Sequence, residues 1–204
     1  MLTTAVGVFA AFSYFLARTP AKSDGKTVVV VMETSAGTVE IELNAEKAPI
    51  TVKNFLDYVD DKFYDGTTFH RVIETFMIQG GGFKPGLEKK NTGKPIKNEA
   101  GNGLSNVRGT IAMARTNDPN SATAQFYINV EDNSRTLDKN DESAGYCVFG
   151  KVTKGMDVVD QIKAVKTHTV IKEIEIDGVL RKVPFKNVPE KDVIIKSIRR
   201  ASAK

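Results

Sequence analysis

The run Phe69–Phe83, FHRVIETFMIQGGGF, sets one arginine and one glutamine among apolar side chains and ends on three glycines before its last phenylalanine. A second run, Ala124–Val130, reads AQFYINV. Side chains alternate along a strand, so Met77 and Gln79 share one face while Ile78 takes the other. Likewise Gln125 and Tyr127 share a face, with Phe126 and Ile128 behind them. Each strand therefore presents an amide beside a large apolar or aromatic group, and Arg71 adds a permanent positive charge. An apolar wall with a few fixed donors is the make-up of a small binding site. Barrel-edge residues meeting solvent would give the same alternation, so the pattern alone leaves both readings open.

Other chemistries have less to stand on. His70 next to Arg71 invites a general-base role, but alternation puts it on the opposite face, so it reads as a structural histidine. Gly80-Gly81-Gly82 lacks the Gly-Lys-Ser/Thr pattern of a phosphate loop, and no helix signal follows it. His70 and His168 are far apart, and neither has a second ligand at metal-binding spacing. No metal site is expected. Cys147 is the only cysteine, which rules out an intrachain disulfide. In GYCVFG it reads as a small buried hydrophobe.

The elements that must position these residues show in the periodicity. Val28–Leu43 reads as two strands about a Ser35-Ala36-Gly37 turn, with Val39, Ile41 and Leu43 alternating against Thr38, Glu40 and Glu42. Val52, Phe55, Leu56 and Val59 fall at i, i+3, i+4 and i+7, the stripe of an amphipathic helix starting at Pro49 or Thr51. Thr67–Gln79 is strand-like throughout. The segment 83–109, rich in Gly, Asn, Lys and Pro, is expected to be irregular and on the surface. GTIAMAR, AQFYINV and GYCVFGKV read as short strands. KGMDVVDQIKAV reads as a second helix with Met156, Val159 and Ile162 on one side. VIKEIEIDGVLRKVPF is a hairpin pattern turning at Asp177-Gly178, with Ile176 opposite Val179 and Glu173 opposite Lys182. DVIIKSI gives a last strand. Many short strands and two helices suit a β-barrel or a sandwich with helical covers.

The chain has 204 residues, 41% hydrophobic and 26% charged, enough for one domain with a core. The net charge of +4 is spread among nearly as many acids as bases, and no nucleic-acid motif appears, so no nucleic-acid partner is expected. Leu2–Ala17 carries no charge. It is short for a membrane span and near the length of a signal-peptide core. Residues 1–27 are read as a signal peptide or membrane anchor followed by a polar linker, with a weak cleavage site after Ala21. Residues 28–204 are read as the folded domain, with a hairpin at about 170–185. The expected location is exported, periplasmic or membrane-anchored, with membrane contact only through residues 2–17. A mis-called start or an extension on a cytoplasmic protein is the alternative. Nothing in the sequence signals an oligomer, so a monomer is expected.

FHRVIETFMIQGG, RGTIAMAR, SATAQFYI and VFGKVTKGMDVVD together resemble the cyclophilin family of peptidyl-prolyl cis-trans isomerases, especially its bacterial periplasmic branch. The resemblance covers about Val29 to Ile195. It implies a mainly β fold, a closed eight-stranded antiparallel β-barrel capped by two α-helices. It also implies isomerisation of X-Pro bonds in proline-containing polypeptides and unfolded client proteins, without a cofactor. The family's catalytic arginine falls on Arg71. Its proline-pocket residues fall on Phe76, Met77, Gln79 and Leu137, joined by Gln125 and Tyr127. Ala114 and Arg115 match the edge that pairs with the substrate backbone. Tyr146 stands where many eukaryotic members have histidine. The family's Pro-Gly turn is Glu74-Thr75 here, and the second aromatic of its QFF block is Tyr127, whose hydroxyl is expected near the proline ring. Thr136 replaces the tryptophan that helps hold cyclosporin, so weak cyclosporin binding is expected. The hairpin looks like an insertion relative to bacterial relatives. A proline-peptide binding module or chaperone with little turnover is the alternative reading.

Overall fold

Valine-rich alternation makes the first strand. In the computed structural model, which describes residues 28–176 and 178–201, β1 (Val28–Thr34) points Val30 and Met32 into the core. Its partner β2 (Thr38–Leu43) does the same with Val39, Ile41 and Leu43 and leaves Glu40 and Glu42 half-buried. The expected turn joins them. Helix α1 (Pro49–Asp60) begins on Pro49, a first-turn position that needs no N–H. It buries the predicted stripe of Val52, Phe55, Leu56 and Val59, together with Thr51. Phe55 is fully buried, worth about 2–3 kcal/mol, and meets the rings of Tyr64, Phe126 and Phe149 at 5.2, 5.7 and 5.2 Å.

The strand-like run from Thr67 is not one strand but a hairpin. β3 (Thr67–Ile73) turns at Glu74-Thr75 into β4 (Met77–Gly80), closed by the Phe76 N–H donating to the Ile73 carbonyl at 3.0 Å. Neither turn residue has a positive φ. A turn of that sort accepts most residue types, which is why no Gly or Pro announced it. Segment 83–109 is only partly as expected. It contains the small hairpin β5 (Phe83–Lys84) and β6 (Glu88–Lys89) around a 3-10 turn, Pro85–Leu87. It also dips inward at Asn106, which is fully buried.

The remaining elements are β7 (Thr110–Met113), β8 (Phe126–Asn129), the single turn α2 (Ser134–Leu137), β9 (Val148–Lys154), α3 (Met156–Lys163), β10 (Thr167–Ile176), β11 (Val179–Pro189) and β12 (Ile194–Arg200). Eight strands close into an antiparallel barrel in the order β1-β12-β3-β4-β8-β7-β9-β2. This is the closed barrel expected, rather than a sandwich. The seam is β12, which pairs with β1 on one side and β3 on the other. Inside lie Val30, Ile41, Phe69, Ile78, Ile111, Phe126, Ile128 and Ile195, with α1 and α3 packing their apolar faces on the same core. In α3 Val158 joins Val159 and Ile162 in the buried set, while Met156 is half-buried.

β10 and β11 form a separate two-stranded sheet, longer than the hairpin predicted but in the predicted register: Glu173 opposite Lys182, Ile176 opposite Val179. Asp177 at its turn lies outside the described residues, as does residues 1–27 with the apolar run Leu2–Ala17. Among the described residues no helix is long and apolar enough to cross a membrane.

Candidate functional site

Antiparallel register lines up one residue from each of five strands on the outside of the barrel. Arg71 on β3 pairs with Gln79 on β4, Gln79 with Tyr127 on β8, Tyr127 with Ala112 on β7, and Ala112 with Val148 on β9. Met77, Ala112, Tyr127, Leu137 and Val148 form a small apolar cluster here, distinct from the barrel interior, with Phe76, Ala114 and Tyr146 packed at its margin. The alternation read from the sequence therefore holds: Ile78, Phe126 and Ile128 face in, while Met77, Gln79 and Tyr127 face out.

Within this cluster is a cavity of about 100 Å³. That is room for about three waters. Its walls are Arg71, Phe76, Met77, Gln79, Ala114, Arg115, Tyr127, Leu137 and Tyr146, nine of the ten residues singled out from the sequence. Gln125 stands just beside it. The Arg71 Nη1 donates to Gln79 Oε1 at 3.3 Å, and Gln79 Nε2 donates to Gln125 Oε1 at 2.9 Å. This chain fixes both amides and spends one N–H of the guanidinium. Among the described residues no carboxylate pairs with Arg71. Burial lowers its pKa from the ordinary value, and the neighbouring Tyr146 opposes that shift. A guanidinium stays charged nonetheless.

Gly82 keeps Gln125 in place by having no side chain. A Cβ there would come within 2.5 Å of Gln125 Cγ and 2.7 Å of its Nε2. At the rim, Arg115 lies over the Tyr146 ring at 4.3 Å and donates from Nε to the Gly145 carbonyl at 3.1 Å. Ala114 lends its side chain to the wall, but its N–H already donates to the Gln125 carbonyl at 3.0 Å. Among the described residues the Arg115 backbone N–H and C=O have no such partner.

The Tyr127 hydroxyl does not point at the cavity as expected. It is buried and donates to Asn106 Oδ1 at 2.8 Å. Burial raises its pKa well above the usual phenol range, so it stays a neutral donor. Asn106 in turn donates from N and Nδ2 to Asp138 Oδ1 at 2.7 and 2.8 Å, and from Nδ2 to the Tyr146 carbonyl at 3.2 Å. Asn133 Nδ2 donates to the Phe76 carbonyl at 2.7 Å and to Asn129 Oδ1 at 2.8 Å. Its carbonyl accepts the Leu137 N–H at 2.9 Å. Asn106, Asn129 and Asn133 thus hold the backbone of Phe76, Leu137 and Tyr146 from behind. Sequence reasoning missed all three, because a buried asparagine reads like any loop asparagine. Thr136 is exposed and is not part of the cavity wall.

His70 is not on the face opposite Arg71. Phe69 and Val72, three residues apart, both point into the core, a parity that a regular strand does not give. The register slips between Phe69 and Arg71. A bulge of this kind inserts one extra residue, so His70 and Arg71 both lie outside the core. His70 is 7% exposed, 4.6 Å from the Phe83 ring, and its Nδ1 has no hydrogen-bond partner among the described residues. Burial, with some help from the Arg71 charge, lowers its pKa to about 4. A neutral buried imidazole packed on a phenylalanine fits the structural reading, though not by the alternation argument.

A larger cavity, about 270 Å³, lies between Asn44, Leu104, Val107 and Lys151. It contains none of the ten residues, so size alone does not mark the site.

The family model for cyclophilin type peptidyl-prolyl cis-trans isomerase/CLD matches residues 29–199. A peptidyl-prolyl cis-trans isomerase of Acinetobacter baylyi is 55% identical over 173 residues, covering 85% of this chain and 88% of that protein. Peptidyl-prolyl cis-trans isomerase B of Escherichia coli is 53% identical over 173 residues, 83% of this chain and 98% of that one. Among solved structures, a Cryptosporidium parvum cyclophilin type peptidyl-prolyl cis-trans isomerase crystallised in the presence of the dipeptide Ala-Pro superposes with a TM-score of 0.69. It is 25% identical and covers 86% of this chain and 99% of that one.

Proposed function

The chain belongs to the cyclophilin type peptidyl-prolyl cis-trans isomerases, and on that premise we propose that Arg71 speeds X-Pro rotation by non-covalent stabilisation of the twisted amide beside an apolar proline pocket. The activity itself, cis-trans isomerisation in proline-containing peptides, is that of the family. The barrier is loss of amide resonance, about 18–20 kcal/mol. Both X-Pro isomers lie within about 1 kcal/mol, yet they exchange in tens to hundreds of seconds. No bond forms or breaks, so no attacking group is needed. As the bond twists, the prolyl nitrogen turns pyramidal and its lone pair localises. A donor aimed there favours the twisted state over the planar one, which is what lowers a barrier.

One observation carries the assignment. Arg71 borders the cavity with no acidic partner among the described residues, and the Gln79–Gln125 chain orients it. Phe76, Met77, Leu137 and the Tyr127 ring receive the proline ring. Gln79 and Gln125 face the rotating carbonyl side, and the open Arg115 backbone pairs with the substrate chain. A 10⁵-fold acceleration needs about 7 kcal/mol. That is within reach of desolvated hydrogen bonds and positioning. The Ala-Pro dipeptide of the parasite structure is consistent with such a substrate. The clients are unfolded, proline-containing polypeptides. Exposed Thr136, outside the cavity wall, supports weak cyclosporin binding. The uncharged run Leu2–Ala17 supports export to the periplasm or a membrane anchor.

The test is a prolyl isomerisation assay on a short Ala-Pro peptide with the wild type and Arg71→Ala. The variant is expected to lose about 10²–10³ in kcat/KM, the cost of removing one transition-state donor, while peptide binding changes little. Equal loss of binding and turnover, or of neither, refutes the role given to Arg71. Absence of turnover in the folded wild type favours a proline-peptide binding module.

A further inference from the structure

Six large hydrophobic residues stand well exposed among the described residues, and four of them, Ile171, Ile174, Val179 and Leu180, lie on the β10–β11 hairpin. Scattered exposed hydrophobes are ordinary; a cluster is not. Register puts Phe185, Val183, Ile174 and Val179 on one face of this two-stranded sheet, with Leu180 on the other. The base of that face is covered. Phe185 meets the Phe83 ring at 5.9 Å, and Lys172 Nζ donates to the Gly86 carbonyl at 2.7 Å. Toward the tip the same face emerges uncovered, with Ile174 36% and Val179 56% exposed. The hairpin pairs with no barrel strand among the described residues, so its edges also present free backbone groups.

The exposed face leads to the proline cavity. Phe83, under the hairpin base, also packs on His70, the residue before Arg71. Gly82, just before Phe83, is in contact with Gln125. The apolar stripe and the cavity are therefore two ends of one outer surface. A strand of ten residues spans about 33 Å, so a chain held by its proline at Arg71 has its flanking residues within reach of the stripe. The charges favour a polypeptide over an anionic bilayer. On the exposed face the charged residues in register are Lys172 and Arg181, while Glu173, Glu175 and Lys182 lie on the other. Lys172 is already held by the Gly86 carbonyl, and two cations fall short of the cluster of about four to eight that acidic lipid recruits.

We propose that the β10–β11 hairpin is a docking arm for unfolded client polypeptide, gripping apolar residues that flank the proline while the bond rotates at Arg71. This rests on the isomerase reading above. Three proteins are compared: the wild type, the triple variant Ile174→Ser/Val179→Ser/Val183→Ser, all on the stripe face, and Arg71→Ala. Turnover is measured on a short Ala-Pro peptide and on a denatured protein whose refolding waits on one prolyl bond. Binding is measured on a permanently unfolded, proline-containing polypeptide. The triple variant should match the wild type on the short peptide. On the refolding protein it should lose about fivefold or more in kcat/KM, and about the same in affinity for the unfolded chain, roughly 1 kcal/mol. Arg71→Ala should keep that affinity, so loss of its turnover alone speaks to the isomerase reading and not to the arm. Unchanged binding in the triple variant overturns the proposal. So does an equal loss on both substrates. A dimer in the wild type that the triple variant lacks would assign the stripe to a second copy. Loss of binding to phosphatidylglycerol vesicles, with client affinity intact, would assign it to lipid.

Discussion

His70 lies one residue from Arg71, buried against Phe83 and neutral, with a pKa lowered to about 4. In the unfolded chain it titrates near 6.5. Below that pH the unfolded chain takes up a proton that the folded one refuses until about pH 4. Its contribution is thus complete above pH 6.5 and is lost as the pH falls toward 4. The shift is worth about 3 kcal/mol. Urea titrations at pH 7 and pH 4 should show His70→Gln losing about 3 kcal/mol less than the wild type. Asp65, whose pKa the Arg199 hydrogen bond lowers, sheds stability in both proteins and cancels from the difference. Turnover should behave otherwise. Neither an arginine nor an amide titrates near neutrality, so kcat/KM on an Ala-Pro peptide should stay flat from about pH 6 to 9. A bell-shaped profile would restore a general acid or base. Tyr127→Phe removes the bond to Asn106 Oδ1, which Asn129 Nδ2 still reaches at 3.2 Å. Denaturant unfolding should report a loss of about 1 kcal/mol, with turnover on the short peptide within about twofold. At this scale the groups facing the cavity were legible, because Arg71, Gln79 and Tyr127 stand in distinctive words of sequence. The asparagines behind them were not, since burial rather than residue type gives them their part.

Among the elements, the link from β4 to β5 carries the most consequence for its size. Gly82→Ala would press a methyl onto Gln125, a side chain able to move. The fold should survive, but the Gln125–Gln79–Arg71 chain should not. Turnover on the Ala-Pro peptide is expected to fall about tenfold, near 1.4 kcal/mol, with little change in melting temperature. Strand alternation and the stripe of α1 could be read directly, because each keeps its period from end to end. The bulge at His70 could not. It changes parity without any residue type that demands it, and only the inward direction of both Phe69 and Val72 reveals it. Periodicity did not mark the Glu74-Thr75 turn either, since it has no positive φ and so no need of glycine; only the family resemblance placed it.

At the scale of the molecule, periodicity found the strands but could not choose barrel over sandwich. That choice depends on which distant strands meet, and it came from family resemblance. The decisive meeting is at the seam, where residue 30 pairs with residue 200 and β12 bridges β1 to β3. A chain ending at Glu190 lacks β12 and would expose an edge on each side of the gap. It should fail to give the cooperative melt of the full chain and should aggregate. The seam also sets a schedule for biosynthesis. A ribosome adding about 5–20 residues per second needs roughly 10–30 s to go from β1 to β12. Throughout that interval the first strand has no final neighbour on one side, and nothing local can stand in for it. Closure waits for β12, so the barrel of this isomerase stays open until that strand has been made.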